Sequence, residues 1–134
     1  MILLDTHVLF WTTNDSKRLS RRAREAILEA RGEQGRHNAG IAVATITVWE
    51  LAWLAQNGRI AVAVSVESFV REAVARVILR PITPEIAALA VRLPDKFPKD
   101  PADRLIAATA MVEGMALVTA DMRIRRSKVV ETVW

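Results

Sequence analysis

Ile2-Leu3-Leu4-Asp5-Thr6 opens the chain, and its reading decides the fold. Three apolar residues in a row, without alternation, suit a strand buried on both faces, as in parallel sheets. An acid directly after such a run lies against the core at the strand's C-terminal end. The pattern recurs further along. Ile41 to Thr45 is a second apolar, β-branched run, and Met115-Ala116-Leu117-Val118-Thr119 is a third, leading into Ala120-Asp121. Ile78 to Ile82 contains Pro81 and suits an edge strand at best. Val129 to Trp134 suits a closing strand after the basic stretch Arg123 to Lys128.

Between these runs the period becomes helical. Leu19 and Ser20 read as staple and N-cap of a helix with Ala23, Ala26, Ile27 and Ala30 at helical spacing, stopped by Gly32. Glu33 to Asn38 reads as a loop. Thr47-Val48-Trp49-Glu50 has capping-box spacing and starts a helix to about Gln56, with Asn57-Gly58 as its stop. Ser65 caps a third helix, whose apolar stripe runs from Val66 to Val77. Thr83-Pro84 opens another, ended at Pro94, and Leu93 to Lys99 reads as a loop. Asp100-Pro101-Ala102-Asp103 opens a helix that is apolar on nearly every side through Val112, so it must be covered; Gly114 ends it. Strands alternating with helices predict an α/β fold. The expected architecture is a three-layer α/β/α sandwich around a mostly parallel central sheet, as a single domain over residues 1–134.

Composition narrows the chemistry. With 134 residues, 51% hydrophobic and 25% charged, the chain suits one globular domain. Cysteine is absent, which excludes disulfides and thiolate metal sites, and two histidines, His7 and His37, are too few for a His-rich site. No apolar run is long enough for a membrane span and no signal peptide is visible, so a cytoplasmic protein without a membrane partner is expected. Nineteen Lys and Arg against 15 Asp and Glu give a net charge of +4. That balance suits nucleic acid or an acidic protein partner, and also plain solubility.

The carboxylates carry more information than the net charge. Asp5 and Asp121 follow strand ends, while Glu50 and Asp103 stand three residues after the cap candidates Thr47 and Asp100. In a parallel α/β sheet, strand ends and helix starts meet along one edge, where ligands bind. Four acids far apart in sequence would converge there. Like charges raise one another's pKa, and a divalent cation resolves the conflict. All-oxygen ligands select Mg²⁺ or Mn²⁺. Each acid also has a plainer role: Glu50 in a capping box, Asp103 against a helix dipole, Asp121 and Asp5 at turns.

The same residues carry a resemblance. Ile2 to Leu9, Thr47-Val48-Trp49-Glu50, Asp100 to Ala110 and Leu117-Val118-Thr119-Ala120-Asp121 resemble, in order, the four motifs of PIN-domain proteins. A lone domain of this kind resembles the toxin of a VapBC-type toxin–antitoxin pair. The resemblance implies a metal-dependent endoribonuclease that cuts RNA and is held inactive by a cognate antitoxin. It implies an acidic quartet of Asp5, Glu50, Asp103 and Asp121, with Thr6 and Thr119 orienting carboxylates or water. Asp100 reads either as an acid facing the metal or as the cap of its helix.

Phosphodiester hydrolysis needs an activated water and neutralised phosphate charge, which one or two Mg²⁺ supply, with Mn²⁺ as substitute. Asp5 and Asp103 are the first choices as direct ligands, then Asp121, with Glu50 toward water or a second ion. Arg104, beside the third acid, reads either as a phosphate or supporting contact or as an ion-pair partner of a neighbouring acid. The basic stretch Arg123 to Lys128 would line the RNA path or form a solvated face. Trp49 and Trp53 lie four apart on the helix of Glu50, and read as core or, with Trp11, as lining of an antitoxin groove. A homodimer is expected.

Rival readings fit less well. A haloacid-dehalogenase-like phosphatase wants a second Asp where His7 stands, and a receiver domain wants a lysine at a late strand end. A non-catalytic PIN-like module binding RNA or protein would not need an intact quartet.

Overall fold

The computed structural model describes residues 1–32 and 40–134; the expected loop Glu33 to Asn38 and His37 lie outside the described residues. The chain runs β1 (Ile2–Leu4), α1 (Thr6–Asn14), a 3-10 turn (Ser16–Arg18), α2 (Arg21–Arg31), β2 (Ile41–Ala44), α3 (Ile46–Gln56) and α4 (Val66–Val74). It continues with β3 (Ile78–Arg80), α5 (Pro84–Arg92), α6 (Pro101–Val112), β4 (Ala116–Val118), α7 (Met122–Ser127) and β5 (Thr132–Val133). The five strands form one sheet in the order β3-β2-β1-β4-β5. All four pairings are parallel, so the three-layer expectation is met with a fully parallel sheet.

Alternation along the strands divides the core. Leu3, Ala42, Ala44 and Leu117 face one side with Phe97, Ile106, Ala107 and Ile124, beneath α6 and α7. Leu4, Ile41, Val43 and Val118 face the other with Val8, Ile27, Leu51 and Val70, beneath α1 to α4. A strand covered on both faces has no polar position to spare, which is why these runs lack polar alternation. Helix α6 is covered twice over: Ile106, Ala107 and Ala110 pack on the sheet, while Ala108 packs with Ile86 and Ala90 of α5. β3 is an edge strand, as Pro81 directly after it requires.

Three elements differ from expectation. Helix α3 begins at Ile46, so Thr47 lies within its first turn and is not its N-cap; Thr45 holds that position without a side-chain cap bond. The basic stretch Arg123 to Lys128 is largely helical, because the Asp121 carboxylate caps the N–H groups of Arg123 and Ile124 and nucleates α7. The left-handed Lys128 then ends the helix, leaving Thr132–Val133 as a closing strand shorter than the sequence suggested. No helix among the described residues is long and apolar enough to cross a membrane.

Candidate active site

The parallel order sets strand β1 at the centre, flanked by β2 and β4, so the loops after these strands share one edge. Asp5 leaves β1 there, and its N–H donates to the Val118 carbonyl at 3.0 Å, tying it to the end of β4. Its Oδ1 caps α1 by accepting from the Thr6 N–H at 2.8 Å, and its Oδ2 accepts from the Thr119 hydroxyl at 2.7 Å. The Thr119 oxygen in turn accepts the Asp121 N–H at 3.1 Å. One threonine thus fixes two acids that lie 116 positions apart in the chain.

Thr6 plays the matching part for Glu50. Its hydroxyl donates to Glu50 Oε1 at 2.6 Å and lies 3.0 Å from the Thr47 hydroxyl. The spacing of Thr47 and Glu50 therefore has a different cause from a capping box. Residues three apart stand on one helix face, and here both reach back to α1. Asp100 does cap its helix: Oδ1 accepts from Ala102 N–H at 2.9 Å and Asp103 N–H at 3.2 Å.

Electrostatics bind these acids into one group. Burial pushes Asp5 up against its hydrogen bonds, with Asp121 adding to the rise. Burial also raises Glu50, with Asp5 and Asp100 adding to it. Asp103 is pushed up to about 7 by burial and then by Asp5, Asp100, Asp121 and Glu50. Asp121 moves the other way. Burial would raise it, but the Arg123 side chain and the N–H groups of Arg123 and Ile124 outweigh that and lower it. Asp100 is therefore both a cap and a member of the acidic field.

Among the described residues, no three such side chains stand arranged to hold an ion as they are. Each acid has turned to its own partner: Asp5 to Thr119, Glu50 to Thr6, Asp121 to Arg123. The donor set nonetheless fits Mg²⁺ or Mn²⁺. It is all oxygen, and these ions keep several waters and use one or two carboxylates directly.

Among the described residues Arg104 makes no ion pair with a neighbouring acid. Its guanidinium donates to the carbonyls of Pro98, Leu93, Ala90 and Phe97 at 2.9, 3.0, 3.3 and 3.4 Å. A fork with five N–H donors serves several acceptors at once, here the carbonyls at the end of α5 and in the following loop. It braces the loop that delivers Asp100.

Trp49 and Trp53 are 59% and 43% exposed, so the core reading fails for both. Trp53 lines a groove of about 800 Å³ with His7, Phe10, Trp11, Arg18 and Arg59. Arg18 stacks on Trp11 at 4.6 Å, and Trp11 meets Trp134 at 6.0 Å. The groove adjoins the site through His7, two residues past Asp5.

A PIN-domain family model matches residues 2–129. The chain belongs to the PIN-domain family. Ribonuclease VapC22 of Mycobacterium tuberculosis is 45% identical to this PIN domain over 135 residues, which cover 99% of this chain and 98% of the relative. Among solved structures, a toxin–antitoxin complex from Klebsiella pneumoniae is similar at 25% identity and a TM-score of 0.66. It covers 100% of this chain and 97% of its own. DNA-bound VapBC from Salmonella typhimurium has a TM-score of 0.71 at 18% identity, over 98% of this chain and 97% of its own; at that identity the likeness concerns the fold.

Proposed function

We propose that this PIN domain is a metal-dependent endoribonuclease that acts as the toxin of a toxin–antitoxin pair. The observation that carries the reading is the convergence of acids from four separate elements on one sheet edge, with Asp103 driven up to about 7 by burial and by the charges of the other acids. Folding alone gives no reason to gather such charges. The 45% identity to a ribonuclease over nearly the whole chain supports the same reading.

In this reading Asp5, Asp103 and Asp121 would hold the cation, Mg²⁺ with Mn²⁺ as substitute, and Glu50 would serve a water or a second ion. The bound cation supplies Lewis acidity toward the phosphodiester and lowers the pKa of water. The chain's own residues position everything else. Thr119 sets the rotamer of Asp5, and Thr6 aims Glu50. Beside a cation Asp103 would give up its proton more readily, since opposite charge lowers a carboxyl's pKa. Helix α7 places Arg123, Arg125 and Arg126 beside the fourth acid, where they attract the RNA backbone.

The groove of half-buried Trp11 and exposed Trp53 is the proposed seat of an antitoxin segment, since tryptophan is enriched at binding hot spots. The toxin is proposed to act in the cytoplasm as a homodimer. Expression of the chain alone should arrest growth, and Asp5→Asn should relieve the arrest at matched protein level. An equally harmless wild type would favour the rival reading, a PIN-like module that binds RNA or protein without cutting.

A further inference from the structure

The fourth acid has an unusual companion. Arg123 Nη2 lies 3.0 Å from Asp121 Oδ2 and 3.8 Å from Asp103 Oδ2, and its Nε lies 3.4 Å from Asp121 Oδ1. One guanidinium therefore spans two acids that come from different helices. The same arginine's backbone N–H, at 2.7 Å, and that of Ile124, at 3.3 Å, grip Asp121 Oδ1. Asp121 is thus oriented by the helix start through one oxygen, while Arg123 covers the other.

We propose that Arg123 is a built-in counter-cation that competes with the divalent metal for Asp121 and Asp103. The inference rests on the metal-dependent reading of the site. A cation shared by Asp103 and Asp121 would take the space that Arg123 Nη2 bridges between their Oδ2 atoms, and two positive charges that close repel. Arg123 is suited to yield. Its side chain is 71% exposed, so it swings into water at small cost, and an exposed ion pair is weak. Asp121 does not move when it leaves, because Oδ1 remains capped. The device keeps Asp103 and Asp121 from repelling one another without metal, and it sets the metal affinity lower than the acids alone would give. Once displaced, the planar fork stands at the rim of the site, where a phosphate would arrive.

Isothermal titration of Mn²⁺ into the full-length, chelator-stripped protein tests this without reading catalysis. Arg123→Gln should bind Mn²⁺ about three- to tenfold more tightly than wild type, the order expected for losing a weak competing pair together with its repulsion. Arg126→Gln removes the same charge from an exposed position of the same helix. It should leave the affinity within about twofold, as expected of a solvent-screened charge. Arg123→Lys keeps the charge without the fork and should fall between. Equal affinity in Arg123→Gln and wild type, or equal tightening in Arg123→Gln and Arg126→Gln, would overturn the proposal. No Mn²⁺ binding to wild type would instead overturn the metal-dependent reading beneath it.

Discussion

Asp103→Asn should stabilise the protein in a chelator and weaken it in metal, with a pH signature that no capping role can imitate. The Asp103 carboxyl is raised from 3.8 to about 7, so the folded state holds its proton more tightly than the unfolded chain does. Stability is therefore full below about pH 4, falls as pH climbs through the window up to about 7, and stays low above it. A shift of about three units has a ceiling near 4 kcal/mol at about 1.4 kcal/mol per unit. Solvent reaches the 19% exposed side chain and Arg123 lies nearby, so screening brings the effect to about 2 kcal/mol. Asparagine also forfeits about 0.3–1 kcal/mol of favourable charge at the α6 N-terminus. The net expectation at pH 8 in EDTA is a gain of about 1–1.5 kcal/mol, or a Tm higher by about 3–7 °C for a domain of this size. At pH 3 the carboxyl is protonated in the folded and the unfolded chain alike, and the two proteins should melt within about 1–2 °C of each other. Adding Mn²⁺ at about 100 times Kd should stabilise wild type by about 2.7 kcal/mol and the variant far less, reversing the order. Differential scanning fluorimetry at both pH values, with and without Mn²⁺, reads all four states. A Tm difference that ignores both pH and metal would refute the reasoning.

Other outcomes follow from single contacts. Thr6→Val removes the hydroxyl donor from Glu50 and the partner of Thr47, so urea unfolding should show a loss of about 1–3 kcal/mol, and RNA cleavage should fall with it. Arg104→Ala strips donors from four carbonyls and should cost about 2–4 kcal/mol, while cleavage per folded molecule, measured well below Tm, changes little. An Arg104→Ala protein of wild-type stability with abolished cleavage would restore a phosphate-binding role to that arginine. Trp53→Glu puts a charge into the groove and should abolish co-purification with a co-expressed cognate antitoxin, leaving cleavage intact.

The parts legible in the sequence are those governed by local rules. Unbroken apolar runs identified the central strands, because burial on both faces leaves no polar alternation, and Ser20, Ser65, Thr83 and Asp100 cap where their positions indicate. The acids were legible as a set because strand ends and helix starts share an edge in a parallel sheet. What was not legible depends on long-range partners. Nothing near Thr47 shows that its hydroxyl meets Thr6, so local spacing suggests a capping box where tertiary contact rules. Arg104 sits beside an acid in sequence, yet the carbonyls it serves come from the α5 end and its loop. The basic stretch after Asp121 hid α7, although an acid two and three residues before a run of N–H groups was a cap signal on its own. Exposure of Trp49 and Trp53 follows from Thr47 and Leu51 taking the buried face of α3.

The central claim is that acids from distant parts of the chain act as one metal-dependent, RNA-cutting centre. Single-turnover cleavage of an RNA substrate by Asp5→Asn, Glu50→Gln, Asp103→Asn, Asp121→Asn and the quadruple variant, in Mg²⁺ and in excess EDTA, tests it most directly. Residues that work as a unit are non-additive. Asp5→Asn and Asp103→Asn should each lose nearly as much activity as the quadruple variant, and wild type in EDTA should fall to the same floor. Cleavage that survives in EDTA, or that persists in the quadruple variant, would contradict the account.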